Sequence, residues 1–307
     1  MARQPPSSRE GFLTILCPVD FSAHSRLALR YAAAVARRSG GTLTALFVND
    51  PFLVAAAAAA AAHDVRTLQK TSEDELRSFV RRAVNGTGIA PRSVACSIGQ
   101  GEAAVEILRM ARRLRADLIV VGTQGLSGTS KLFFGSTTER VLRRATVPVL
   151  AVPPGSGPTA GSSWPGRQIL AALDIGPRLM ADAHAAAKVA RWFDTDLLLV
   201  HVLRPTQIPH WLRAALRGHD RERLTAARTR LDRLVRSLKS ERKVEHQLLT
   251  GDPTEQIPVL AANSRTGLIV VTLRTADGLF GLRQGTITYQ VLERTGTPVL
   301  ALPKAWR

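Results

Sequence analysis

Leu118-Ile119-Val120-Val121-Gly122 is an unbroken apolar run closed by glycine, and Leu268-Ile269-Val270-Val271 repeats it 150 residues later. Apolar residues without polar alternation fit a strand covered on both faces, as in a parallel sheet flanked by helices. The repeat continues outward at the same offset. Pro148-Val149-Leu150-Ala151 returns as Pro298-Val299-Leu300-Ala301, and Gly101, Ile107, Gly135, Val141-Leu142 and Arg144 return as Gly251, Ile257, Gly285, Val291-Leu292 and Arg294. Nearer the N-terminus the offset is 154: Ile15-Leu16 matches Ile169-Leu170, Asp20 matches Asp174, and Val48 matches Val202. Collinear matches over this span mark a duplicated domain. The second copy is four residues shorter before Gly251, and the matching interval of the first holds the run Ala55 to Ala62.

Apolar runs alternate with helical periodicity in each copy. In the first, strands are predicted over Leu13–Asp20, Thr42–Asn49, Ser93–Ile98, Asp117–Gly122 and Val147–Val152. Helices are predicted over Ser25–Arg38, Val65–Val84, Ala103–Leu114 and Thr137–Arg144. The fold class is therefore α/β: two tandem doubly wound domains, each a five-stranded parallel sheet with helices on both faces and right-handed crossovers. The first domain is expected over residues 11–153 and the second over 167–303. Residues 154–166, rich in Pro, Gly and Ser, read as a flexible linker. The poly-alanine run favours helix but has no amphipathic face, so it reads as a surface or crossover insertion.

At 307 residues the chain suits two ordinary domains, and a hydrophobic content of 45% with only 5% aromatics points to cores of Val, Leu, Ile and Ala. No apolar run is long enough to span a bilayer, and no signal-peptide pattern opens the chain. Two cysteines, Cys17 and Cys96, make neither a disulfide framework nor a metal motif, which suits a reducing cytoplasm. Cys17 reads as a small buried apolar residue. The net charge of +18 divides evenly between the copies but concentrates in Arg213–Lys243, with 11 basic and 4 acidic residues. A solvated helix face accounts for this stretch; an acidic partner, nucleic acid or protein, is the sharper alternative. No zinc-finger spacing or aromatic-rich strand motif supports nucleic acid.

In a doubly wound sheet, ligands bind beyond the carboxyl ends of the strands, at the switch point. Two loops fall there: Asp20-Phe21-Ser22, and Gly122-Thr123-Gln124-Gly125 with Gly135-Ser136-Thr137 nine residues on. Glycines at 122 and 125 let backbone amides approach an anion, and Gly135-Ser136 opens a helix whose free N–H groups favour negative charge. Asp20 has two readings, a cap on the following helix or a ligand contact.

These residues, Ile15-Leu16-Cys17-Pro18-Val19-Asp20-Phe21-Ser22, the G-x2-G-x9-G-S loop and the closing Val147-Pro148-Val149-Leu150, resemble a universal stress protein domain. The whole chain resembles the tandem members. The resemblance implies ATP, with or without Mg, or another adenine nucleotide as ligand. It implies Pro18, Val19, Asp20 and Val48 at the base, and Val121, Gly122, Gly125, Gly135, Ser136, Thr137 and Thr138 at the ribose and phosphates. It also implies pairing of the two last strands into an intrachain pseudo-dimer, with a homodimer of chains left open. In copy two, Thr272 and Thr275 replace Gly122 and Gly125, so nucleotide binding there is expected to be weak or absent.

The expected role is nucleotide-dependent stress response or regulation, not enzymatic turnover. The G-x4-G-K-[ST] phosphate-binding loop is absent, and Lys131 and Glu139 are the charges nearest the glycine loop. Slow hydrolysis stays open. The alternatives are an adenylate-handling enzyme of related fold, those with a pyrophosphatase loop showing a Ser-Gly-Gly run where this chain has Pro18-Val19-Asp20-Phe21-Ser22, or a binding module acting through the basic stretch. The seven histidines lack motif context; His201, at a strand end, reads as a satisfied core or edge residue.

Overall fold

The computed structural model describes residues 11–61, 65–125, 135–157, 164–206, 209–212, 218–264, 266–273, 287–304 and 306. Its order is β1 (Thr14–Val19), α1 (Ala23–Ser39), β2 (Thr42–Asn49), α2 (Pro51–Ala61), α3 (Val65–Val84), β3 (Val94–Gln100), α4 (Ala103–Leu114), β4 (Leu118–Gly122), α5 (Ser136–Arg144) and β5 (Val149–Val152). The second half repeats it: β6 (Gln168–Ala172), α6 (Leu179–Phe193), β7 (Asp196–Leu203), α7 (His219–Ser237), β8 (Val244–Thr250), α8 (Pro253–Asn263), β9 (Ile269–Thr272), α9 (Ile287–Arg294) and β10 (Val299–Leu302). Short 3-10 turns lie at Pro91–Ser93 and His210–Leu212.

Each half is parallel throughout, with first-half order β3-β2-β1-β4-β5. β5 pairs antiparallel with β10, matching Val299, Leu300 and Ala301 to Ala151, Leu150 and Val149, so the halves form one ten-stranded mixed sheet. Both edge strands consist of buried residues, and pairing them satisfies backbone groups that would otherwise be left open. Val147-Pro148 falls outside β5, although the Pro148 carbonyl still accepts the Ile119 N–H at 3.0 Å. The last strands thus meet within one chain, as the tandem resemblance implied. The strands of the second half run opposite to those of the first.

Helices α1, α3, α6 and α7 cover one face over a core including Ile15, Cys17, Phe79 and Val120; α4, α5, α8 and α9 cover the other over Leu16, Ile119, Val121 and Val271. Burial pushes the Cys17 thiol well above the usual range, consistent with an inert packing residue. The poly-alanine run forms most of α2, whose Phe52 and Leu53 are 84% and 71% exposed. Within the basic stretch the described residues form α7; residues 213–217 lie outside them. No helix among the described residues is long and apolar enough to cross a membrane.

The seam between the halves gathers three of the four tryptophans. Phe12 meets Trp192 edge-on at 4.9 Å, Tyr31 meets Trp164 at 5.1 Å, and Trp164 meets Phe193 at 5.1 Å. Arg38, from the end of α1, donates to the Trp192 carbonyl at 3.4 Å and to that of Phe193. These are last-turn carbonyls of α6, which lack intrahelical donors. The guanidinium also lies 5.6 Å from the Phe193 ring centroid. Arg38→Ala is expected to lower unfolding free energy by about 1–3 kcal/mol, with Arg38→Lys recovering only part because an ammonium lacks the planar fork. Urea denaturation of the full chain checks both.

Candidate nucleotide site

The first-domain site forms where β1 and β4 end side by side. Pro18 pairs with Leu46, whose side chain lies in the α4/α5 core, and Val48 and Val121 pack on that same face. Val19 points the other way, into the α1/α3 core, so only its backbone is available on the site's face. Asp20 follows β1. Its Oδ1 accepts the Ser22 N–H at 3.1 Å, while its own N–H donates to Ser25 Oγ at 3.3 Å. Ser22 in turn caps α1, its Oγ accepting the Ser25 N–H at 3.0 Å. Asp20 therefore shapes the turn into α1 with one oxygen, and the other lies toward the glycine loop.

That proximity is visible at Gly125, where a Cβ would stand 2.8 Å from Asp20 Oδ2. The glycine lets the β4 loop pass directly beside the carboxylate. Gly122 has a different neighbour. A Cβ there would lie 3.1 Å from the His24 carbonyl oxygen, in the first turn of α1. A side chain here would require the first turn of α1 to give way by a few tenths of an ångström, whatever ligand is bound.

Gly135 caps α5 with extended φ/ψ, and its N–H donates to the Thr123 carbonyl at 2.9 Å, tying both ends of the loop together. Ser136 is exposed and Thr137 half-buried at the first two helical positions, where N–H groups have no intrahelical acceptor. Thr138 is buried, and its hydroxyl donates to the Gly122 carbonyl at 2.8 Å. Its contribution to an anion is restricted to its backbone. Glu139 pairs with Arg143 along α5 at 3.4 Å. Lys131 lies outside the described residues.

Behind the β1 loop, Phe21 takes a left-handed φ of 64°. This costs an L-residue about 1–2 kcal/mol, here offset by ring packing on Phe47 and Phe79 at 4.4 and 5.5 Å. Sequence reasoning did not anticipate this aromatic trio or the part played by His24. The Ser22-x-x-Ser25 spacing of a helix cap was the available signal for Ser25.

In the second domain, α6 begins at Leu179, two residues later than the repeat offset places the start of α1. Arg178, the counterpart of His24, caps it without a side-chain bond. The later start accompanies Thr272 in place of Gly122. Thr275, Gly285 and Thr286 lie outside the described residues. The ends of β6, β7 and β9 open onto a cavity of about 870 Å³, whose walls include Asp174, Val202 and Thr272. His201 is buried, and its Nδ1 lies 2.9 Å from the Leu173 carbonyl oxygen, so its polar edge is satisfied as expected.

The glycine turn and the start of α5 thus lie beyond the carboxyl ends of the strands of a doubly wound sheet, at its switch point. The sequence profile of the universal stress protein family matches residues 11–153 and again 166–303, and the chain belongs to that family. A universal stress protein of Methanocaldococcus jannaschii is 31% identical over 140 residues, covering 45% of this chain and 80% of its own length. One of Thermus aquaticus is 34% identical over 149 residues, covering 46% of this chain and 98% of its own. The crystal structure of a universal stress protein from Archaeoglobus fulgidus superposes with a TM-score of 0.63 at 18% identity, covering 95% of this chain and 98% of that one. It shares the tandem fold.

Gly122→Thr, which introduces the second domain's residue, is expected to destabilise the protein by about 1–3 kcal/mol by forcing β4 and α1 apart. Thr272→Gly should cost about 1 kcal/mol or less, the ordinary penalty of a strand glycine. Chemical denaturation of the two variants measures the asymmetry.

Proposed function

We propose that the first domain binds an adenine nucleotide, ATP with or without Mg, and that the chain is a nucleotide-dependent regulatory protein rather than a turnover enzyme. One observation carries this reading: the Gly122–Gly125 turn, the Asp20 carboxylate and the start of α5 converge at one strand end, tied by the Gly135–Thr123 bond. The N–H groups of Ser136 and Thr137 and the helix dipole favour phosphate there, and Pro18, Val48 and Val121 offer an apolar bed for a base. Gly125 provides a cradle that any side chain would fill. Many members of the family bind ATP, which agrees with this assignment.

The charges described near the site support binding rather than turnover. Glu139 is paired along its own helix, and Asp20 is engaged at the turn into α1. A reducing cytoplasm suits the two free thiols, Cys17 and Cys96.

Isothermal titration of the full chain with ATP should give close to one site per chain, with at least about tenfold weaker binding after Gly125→Val or Asp20→Ala. A stoichiometry of two, or affinity unchanged in both variants, would overturn the assignment.

A further inference from the structure

The two domains share a backbone but differ in what fills the face beneath α3 and α7. In the first domain, Phe21, Phe47 and Phe79 stack together on that face, with Leu76 fully buried beside them. The repeat offset matches Phe21 with Ile175 and Phe47 with His201. The buried stripe Leu76, Val80, Ala83 and Val84 of α3 matches Ala227, Leu231, Leu234 and Val235 of α7. That registration puts Ala227 where Leu76 stands and Arg230 where Phe79 stands. A packed aromatic plug in one domain thus becomes an isoleucine, a histidine, an alanine and an arginine in the other.

All four replacements line the 870 Å³ cavity. Its size falls within the range of about 300–1,000 Å³ typical of small-molecule sites. The helix α7 presents Arg223, Ala226, Ala227 and Arg230 to it, residues spaced i, i+3, i+4 and i+7 on one helical stripe. Leu173, Ile175, Val202, Leu203, Ile257 and Val291 provide apolar wall, and the carboxylates of Asp174 and Asp182 line it together with Arg204, Arg223 and Arg230. Arg223 is held at one end of the stripe by Asp220 at 2.9 Å and the Arg204 carbonyl at 3.1 Å. Arg230, exposed at the rim, has no ion pair among the described residues. His201 lies on the same wall, with its Nδ1 2.9 Å from the Leu173 carbonyl oxygen.

We propose that this chamber is a second ligand site, separate from the glycine-loop site, and that it takes a small amphipathic anion: a carboxylate-type head on an apolar body. The head lies at Arg230, with Arg223 beside it, and the apolar body replaces the missing aromatic plug under α7. In the first domain Phe21, Phe47 and Phe79 fill the α1/α3 side, so only the side lined by Asp20 and Val48, the counterparts of Asp174 and Val202, stays open. The site does not depend on the nucleotide assignment of the first domain.

The test is displacement of the fluorescent anion 8-anilinonaphthalene-1-sulfonate from the full chain by decanoate, with decanol as the uncharged control. Decanoate should displace the dye at least about tenfold more effectively than decanol. Rebuilding the plug with the triple variant His201→Phe, Ala227→Leu and Arg230→Phe should reduce decanoate binding at least about tenfold, while melting temperature holds or rises. The single rim variant Arg230→Gln, which removes no packing, should weaken decanoate several-fold and leave decanol unchanged. Equal displacement by decanol and decanoate in the wild type, or decanoate binding unaffected in a folded plugged variant, would overturn the proposal. Unchanged decanoate affinity in Arg230→Gln would overturn the placement of the head group.

Discussion

Antiparallel pairing of Val149–Ala151 with Val299–Ala301 is the contact on which the rest of the molecule depends. Each half alone would end in a short apolar strand with one open row of backbone groups, a surface that attracts unwanted pairing. Joining the two edges removes that surface and continues both cores across the junction, since residues of both halves share each of the two clusters. It also sets direction. Because only this pair is antiparallel, the strand ends that carry the glycine loop and those that open onto the cavity face opposite ways. One small molecule cannot bridge the two regions, and each must be read from its own walls.

Those walls diverge through few positions. In the first domain Gly122 lets α1 approach β4, Gly125 lets the loop pass Asp20, and three phenylalanines fill the opposite face. In the second, Thr272 accompanies a later helix start, while His201, Ala227 and Arg230 leave space where the rings were. The same backbone is therefore tight on the α1/α3 side in one copy and open on the matching side in the other. Close packing makes such exchanges consequential, because a removed ring leaves a volume that neighbours only partly refill.

Much of this was legible in the sequence. The strand expected over Asp117–Gly122 appears as Leu118–Gly122 and the helix at Ala103–Leu114 where periodicity put it, because burial on both faces of a parallel strand leaves an unambiguous apolar run. The repeat offsets located Asp174 and Val202 in the second domain. Fusion of the sheets could be expected only through family resemblance, since nothing local to Val149–Val152 specifies an antiparallel neighbour. The contact between Gly122 and His24 was hidden for a related reason: nearly a hundred residues separate a strand end from a helix turn that touch only after folding. The cavity was harder still. It depends on registering α7 against α3, where insertion and deletion blur the repeat, and on three-dimensional clustering of Phe21, Phe47 and Phe79.

The connection from Val152 to Gln168 has a consequence beyond spanning a gap. A tether of this length makes pairing of the two edge strands intramolecular, with an effective concentration in the millimolar range. Pairing of the halves then does not change with dilution, as it would for two separate chains meeting through the same strands. Covalent attachment also lifts the symmetry requirement of a homodimer, in which every substitution appears twice. One half can keep a glycine loop while the other gives up its aromatic plug.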